Sequence, residues 1–362
     1  MRPPMFSILF ILIILLALLG YILAHIWHMA PLPVWGKWTL SAICFICFCC
    51  EFLNFGATDR MPLPLASFIY NLGNKSVIIS LYLAMAFLLL DIGRLIHIVP
   101  RSLLHDSMPC SIAIVSLLAA IFIYGSIHYH HKQRVAIDID SHGKVERPLK
   151  AVLLSDLHIG YHNRRADLAK WIDMINAENP DLILIAGDII DMSHRPVTEE
   201  NMAAEFHRLK APVFACLGNH EYYSGNQKAH NFYHEAGITL LVDSSARCCG
   251  ITITGRDDRT NSSRKSLSQF TFDTSSFNIL LDHQPYNLEE TEKAGIDFQF
   301  SGHTHRGQIW PMTWIVDAMY ECAWGSFQKG DTRYYVSSGL GIWGAKYRIG
   351  SQSEYVVLTI LS

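Results

Sequence analysis

The chain has 362 residues, half of them hydrophobic and 17% charged, with a net charge of -3. That length allows about two domains, and with no strongly basic field nucleic acid is not an obvious partner. Nine cysteines without a framework of spacings exclude a disulfide scaffold and favour a reducing compartment.

The apolar residues crowd into the first third, which reads as a membrane region over residues 1–133 with about four spans. Met5 to Ala24 is long enough to cross a bilayer as a helix, and too long for a signal peptide. Trp38 to Phe55, interrupted by Glu51, is a second span, and Ser76 to Leu90 a third. Asp91 and Arg94 follow it at a spacing that pairs them on one helix face. Met108 to Ile127 is the fourth. No span carries a charge at its middle, so a transporter or channel gains no support. Trp27, Trp35 and Trp38 read as interfacial anchors. Cys44 and Cys47 have metal-ligand spacing but no partner ligands, and read as small packing residues. Four spans put both ends of the region on one side. Arg2, Arg60, Lys75, Lys132 and Arg134 then oppose Lys37, Arg94 and Arg101, which leans toward a multi-pass cell (inner) membrane protein with a cytoplasmic soluble domain. His128 to Lys132 reads as an interfacial collar.

Residues 134–149 read as a linker and 150–362 as the second domain. Lys150 to Ser155 is strand-like, and Asp156-Leu157-His158 stands at its end. Between Asn163 and Glu178, Leu168, Trp171, Ile172 and Ile175 recur at helical spacing until Pro180 stops the pattern. Asp181 to Ala186 predicts a strand buried on both faces, closed by Gly187 and followed by Asp188 and Asp191. This is a β-α-β unit. Thr198 opens a helix to about Lys210. Pro212 to Leu217 is a third strand, ending in Gly218-Asn219-His220-Glu221, and a helix over 226–236 is closed by Gly237. Short strands follow over 238–242, 250–254, 277–281 and 297–300. Two of them end in Asp282-His283 and Gly302-His303-Thr304-His305. Asn261 to Ser268 is a polar surface loop, and late strands lie at 334–337 and 355–361.

Five strand ends thus carry Asp156 and His158, Asp188, Asn219 and His220, His283, and His303 and His305. Each residue alone has a plain explanation, such as a local turn for Asn219. Together they matter, because open α/β sheets gather their chemistry at carboxyl ends of strands. Carboxylate, amide and imidazole donors suit borderline divalent metals.

The order D-x-H, G-D-x-x-D, G-N-H-[DE], H, G-H-x-H resembles the calcineurin-like metallophosphoesterase family over about residues 150–362. Residues 218–225 (GNHEYYSG), 302–309 (GHTHRGQI) and 338–341 (SGLG) resemble its membrane-associated bacterial phosphodiesterase branch. Two positions depart from that branch: Arg306 stands where glycine is usual, and Asp282 where a small polar residue is usual. The resemblance implies an α/β fold, a four-layer α/β/β/α metallophosphoesterase sandwich, preceded here by an all-α transmembrane region. It implies that Asp156, His158, Asp188 and His305 hold one divalent metal ion, and that Asp188, Asn219, His283 and His303 hold a second. Manganese, iron, zinc, cobalt and nickel all suit such donors. It places His220 beside the metals, serving the leaving oxygen, with Asp191 behind it. Arg306 is a candidate substrate-binding residue that grips phosphate, against the alternative of a solvated loop arginine.

The implied activity is hydrolysis of phosphodiester or pyrophosphate bonds by a metal-activated hydroxide. Two substrate classes are open: a lipid-linked one, such as the UDP-linked lipid A precursor cleaved by some relatives, and nucleotide phosphodiesters. A non-catalytic membrane scaffold is the reading from another class. Trp310, Trp314, Trp324 and Trp343 read as core, or as the lining of an acyl-chain entrance. If the helices only anchor, removing residues up to about Gln133 leaves hydrolysis intact.

Overall fold

The computed structural model of the chain describes residues 5–54 and 56–362, with side chains from residue 12 onward. Arg2 and Phe55, used above, lie outside the described residues. The chain divides into two units, Met1–Tyr124 and Gly125–Ser362.

The first unit is built from α1 (Met5–Met29), α2 (Val34–Leu53), α3 (Leu63–Leu95) and most of α4 (Met108–His130). All four helices are long and apolar enough to cross a membrane. Ile22, Ile26, Met29, Phe87 and Cys110 are buried between them, whereas Leu89 and Val115 point outward. α2 and α3 touch at Gly73, where a Cβ would stand 2.7 Å from the Glu51 amide nitrogen. α3 is longer than the span read from sequence. Pro64 fits its first turn, and Lys75 falls inside the helix, not in a loop. Asp91 does not turn to Arg94. It accepts a hydrogen bond from the Tyr21 hydroxyl at 2.6 Å and lies 3.1 Å from His25 Nε2, so α1 supplies its partners.

The second unit holds twelve strands: β1 (Gln133–Asp140), β2 (Leu149–Leu154), β3 (Leu182–Ala186), β4 (Val213–Cys216), β5 (Thr239–Leu240), β6 (Ser244–Cys248), β7 (Ile251–Gly255), β8 (Phe277–Leu281), β9 (Phe298–Ser301), β10 (Gly325–Lys329), β11 (Thr332–Val336) and β12 (Glu354–Leu361). Its helices are α5 (Arg165–Ala177), α6 (Arg195–Glu199), α7 (Ala203–Phe206), α8 (Asn219–Ser224), α9 (Asn226–Glu235), α10 (Leu288–Lys293) and α11 (Met312–Met319). One sheet runs β1-β12-β2-β3-β4-β5 and the other β10-β11-β9-β8-β7-β6.

Alternate residues of a strand face opposite sides. Val152, Leu154, Ile183 and Ile185 therefore meet Leu168, Trp171 and Ile172 of α5. Leu153, Leu182 and Leu184 face the other way, against Ile253, Ile279 and Phe300 of the second sheet. On that sheet's far side Tyr334 and Val336 pack on Leu288 of α10. This is the expected four-layer α/β/β/α sandwich.

Further differences from the sequence reading include three stretches. Residues 134–149, read as a linker, contain β1, which pairs in parallel with β12 from Gln133 beside Glu354 to Asp140 beside Leu361. Val135, Ile137 and Ile139 alternate with Arg134, Ala136, Asp138 and Asp140, the period of a half-buried strand. The helix predicted over 198–210 is two short ones, α6 and α7, separated where Asn201 takes a φ of +48°. The last turn of α4 belongs to the second unit. Tyr129, read as part of a collar, is buried and donates to Asn163 Oδ1 at 2.5 Å.

Candidate metal centre

Parallel pairing brings the strand ends together. Leu154 of β2 lies beside Ile185 of β3, and Ala186 beside Cys216 of β4. Asp156, Asp188 and Asn219 therefore leave three adjacent strand ends. β8 and β9 of the other sheet deliver His283, His303 and His305. The glycines of the motifs let the chain segments cross. Gly187 has a φ of +73°, and a Cβ there would lie 2.7 Å from the Gly218 nitrogen.

Five of the predicted ligands hold a left-handed backbone: Asp156 (φ 54°), His158 (45°), Asp188 (52°), His303 (70°) and His305 (48°). Such conformations cost roughly 1–3 kcal/mol each and persist where surroundings over-determine them. Two groups that the sequence reading left without a role do this. The buried Glu221 carboxylate accepts from the amides of Gly218 (2.7 Å), Asp188 (3.0 Å), Ile189 (2.8 Å) and Ile190 (3.1 Å). Arg348, also buried, donates to the carbonyls of His305 (2.9 Å), Ser338 (2.5 Å) and Gly341 (2.9 Å).

The side chains form two groups. In the first, His158 Nε2 and His305 Nε2 stand 3.1 Å apart, with Asp156 Oδ1 at 3.4 Å from His305 and 3.8 Å from His158. In the second, Asp188 Oδ2 lies 3.1 Å from His283 Nε2, and Asn219 Oδ1 lies 3.2 Å from His283 Nε2 and 2.8 Å from His303 Nδ1. The same Asp188 Oδ2 is 3.7 Å from His158 Nε2, so this carboxylate stands between the groups. Asp191 Oδ1 is 3.3 Å from His220 Nδ1, as the pairing of those two residues requires. It is equally 3.3 Å from His158 Nδ1, a contact the sequence did not announce.

The two departures from the family pattern have neighbours of their own. The Asp282 carboxylate is buried and accepts from Arg256 Nη1 (3.1 Å) and from Arg264 Nη1 (3.0 Å) and Nη2 (2.9 Å). The half-buried Arg306 guanidinium lies 4.0 Å from the centre of the Trp324 ring.

Burial pushes the histidines down, yet the nearby carboxylates of Asp156, Asp191 and Asp188 bring His158 up to about 10. Asp188 likewise holds His283 well above its ordinary value, against burial. Burial and the charge on His283 push His303 down to about 4, and burial keeps His305 well below its ordinary value. Asp156, Asp188 and Asp191 stay below the usual carboxylate range in spite of burial, because the imidazoles attract their charge. The cluster thus demands positive charge between its carboxylates. His283 Nδ1 faces the Ala186 carbonyl at 2.7 Å and must donate to it, so Nε2 is the nitrogen that offers a lone pair once a cation takes the place of its proton. That lone pair faces two oxygens. Converging lone pairs of this kind, with the ring held from behind, fit a cation.

The family model for calcineurin-like phosphoesterases matches residues 149–307. An uncharacterized metallophosphoesterase of Campylobacter jejuni is 32% identical over 255 residues, 67% of this chain and 68% of its own. The chain belongs to the calcineurin-like metallophosphoesterase family. As a metallophosphoesterase it is a metal-dependent phosphoester hydrolase, and its four apolar helices make it a membrane protein. It is also similar to a Helicobacter pylori metallophosphoesterase, 31% identical over 60% of this chain and 61% of that one. A Danio rerio transmembrane protein with metallophosphoesterase domain is 29% identical over 66% of this chain and 60% of its own. The chain spans 60–68% of the length of these curated relatives. A solved structure described as a novel archaeal phosphodiesterase covers 53% of this chain and 85% of its own, at 16% identity and a TM-score of 0.33.

Proposed function

We propose that this metallophosphoesterase is a membrane-anchored hydrolase of phosphodiester or pyrophosphate bonds. Asp156, His158, Asp188 and His305 hold one divalent ion, and Asp188, Asn219, His283 and His303 the other. The observation that carries the reading is the position of Asp188 Oδ2, 3.1 Å from a histidine of one group and 3.7 Å from a histidine of the other. When bound, the pair of ions supplies an acidified water and neutralises charge on the phosphoryl oxygens.

The remaining work falls to the chain's own side chains. Asp191 holds His220 by Nδ1, so Nε2 is the atom that carries a proton to the leaving oxygen as its bond to phosphorus breaks. Arg306, steadied on Trp324, offers two parallel donors to a phosphoryl group. If Arg306→Ala leaves KM unchanged for every ester cleaved, that residue has no part in binding. The catalytic unit follows α4 on the side of Arg60, Lys132 and Arg134, with Lys37, Arg94 and Arg101 opposite, which supports a cytoplasmic site on an inner membrane.

The test uses full-length protein in detergent, stripped with a chelator and reloaded with one divalent metal at a time. Bis-p-nitrophenyl phosphate should be cleaved faster than the monoester, with two ions bound per chain. Asp188→Asn removes several kcal/mol of charge stabilisation, a fall of roughly 10³-fold in kcat. Reloaded wild-type protein that binds one ion, or cleaves neither ester, refutes the reading.

A further inference from the structure

Helix α11 is amphipathic the wrong way round for water. Its one buried residue is Thr313. Trp314 is 66% exposed, Ile315 50% and Met319 62%. With Ala318 they occupy positions i, i+1, i+4 and i+5, a single apolar stripe. A helix on a water-soluble domain turns that stripe inward. Here it turns outward, and large apolar side chains grouped in this way mark a surface that something covers.

Two contacts within the second unit say what the cover is. Trp310, just before α11, donates its N–H to the Ile349 carbonyl at 2.6 Å and packs edge-on against Trp314 at 5.2 Å. Ile349 in turn lies against α4. A Cβ on Gly125 would be 2.7 Å from its Cγ1, and the Gly125 carbonyl accepts the Arg348 N–H at 2.9 Å. α4 has 23 residues, a length of about 35 Å against a hydrocarbon thickness of about 30 Å. The helix spans that thickness with little to spare, so Gly125, five residues before its end, lies near the boundary between hydrocarbon and headgroups. Nearby Ile127 is 62% exposed, as a lipid-facing residue is. The second contact joins α11 to the metal centre. Gly307, two residues after His305, has a φ of +68°, and a Cβ there would come within 2.5 Å of the Met312 carbonyl carbon.

We propose that α11 is an interfacial helix. Trp314, Ile315 and Met319 sink into the headgroup and acyl boundary, roughly 5–10 Å deep as such helices do, and the centre beside His305 opens onto phosphoesters carried by membrane lipids. The lipid-substrate half rests on the phosphoesterase reading above; the contact with the bilayer does not.

Full-length protein is placed in phosphatidylcholine nanodiscs, plain or with lipids brominated at acyl carbons 6,7 or 11,12. Subtracting the emission of Trp314→Phe from that of wild type isolates Trp314. Its emission should be more than halved by the shallow bromines, less affected by the deep ones, and nearly untouched by aqueous iodide. Quenching by iodide alone would place it in water. Protection from all three quenchers would mean that protein covers it, a second copy included. Either outcome overturns the proposal. In the same discs a long-chain p-nitrophenyl phosphodiester should show a lower KM than bis-p-nitrophenyl phosphate, and Trp314→Ser with Ile315→Ser should close that gap; equal KM values in wild type overturn the lipid-substrate half. Hydrolysis of neither ester alongside intact bromine quenching would remove the phosphoesterase reading and leave the membrane contact standing.

Discussion

The two groups of the metal centre are braced by different parts of the chain. In the first group the His303 N–H donates to the Asp156 carboxylate at 3.1 Å, but behind His158 and His305 stand side chains. Asp191 lies at His158 Nδ1, Arg348 donates to the His305 carbonyl, and Asn163 Nδ2 donates to the His158 carbonyl at 3.1 Å. Behind Asp188, Asn219 and His283 the main chain does more. Ala186 O receives the His283 proton, the His220 N–H donates to Asp188 Oδ1 at 2.9 Å, and Glu221 gathers the surrounding amides. Main-chain bracing comes with the fold, whereas side-chain bracing can be removed one group at a time. The first group is therefore the adjustable one, and its ion should leave first under a chelator.

The sharpest way to break that asymmetry is Asp191, which serves both His158 and His220. His220→Ala should lower kcat by about 10²–10⁴-fold, the usual share of a general acid, and leave both ions in place. Asp191→Asn should do two things at once. It should lower kcat through His220, and weaken one ion by about 10–100-fold through His158. Activity against metal concentration, with bound metal counted by elemental analysis, separates the two. Equal metal affinity in both variants would mean that the 3.3 Å contact with His158 braces nothing.

The second group has its own side-chain dependence, further out. Asp282 immediately precedes His283 and neutralises Arg256 and Arg264; Asp282 and Arg256 are buried and Arg264 is partly buried. Asp282→Ala leaves the partly buried Arg264 without its carboxylate and the buried Arg256 with only Glu290 at 3.5 Å, at a cost of about 3 kcal/mol. Asp282→Asn should cost less, because it still accepts a hydrogen bond. Thermal or denaturant unfolding measures both. The metal-saturated kcat of whatever folded Asp282→Asn remains should be close to wild type, since the carboxylate braces the β8 end and makes no contact with a ligand side chain. A large loss of kcat with unchanged stability would place Asp282 in the chemistry.

The asymmetry also explains what could be read from the sequence. The candidate ligands are local: Asp156-Leu157-His158 or Gly302-His303-Thr304-His305 sits directly on a strand end, and an apolar run announces the strand. The bracing is not local. Arg348 lies far along the chain from His305, in a stretch with no apolar pattern, and only the return of the chain through β12 brings it back. Glu221 was visible inside its motif, but its four amide partners belong to two strand ends that must first be adjacent. β1 could have been read, since its alternation is plain; the preceding apolar span drew the boundary too late. α11 was harder, because its stripe has the right period and the wrong direction, which only the neighbouring contacts decide.

The smallest expected effect tests where the catalytic unit begins. Tyr129 donates to Asn163, whose amide holds the carbonyls of Leu157 (3.0 Å) and His158 (3.1 Å). Lys132 Nζ lies 3.7 Å from the Tyr129 ring. The end of α4 thus reaches the first group through one asparagine, which gives the expected dispensability of residues up to about Gln133 a specific test. Tyr129→Phe removes a single hydrogen bond, about 1 kcal/mol of stability. It should weaken the first ion by less than tenfold and leave kcat unchanged at saturating metal. A chain beginning at Gly125 keeps the whole contact; one beginning at Gln133 loses Tyr129 and Lys132 together, and should need more metal for half-maximal activity. Equal metal requirements for those two fragments would reduce the last turn of α4 to a tether, and would leave Asn163 to hold His158 unaided.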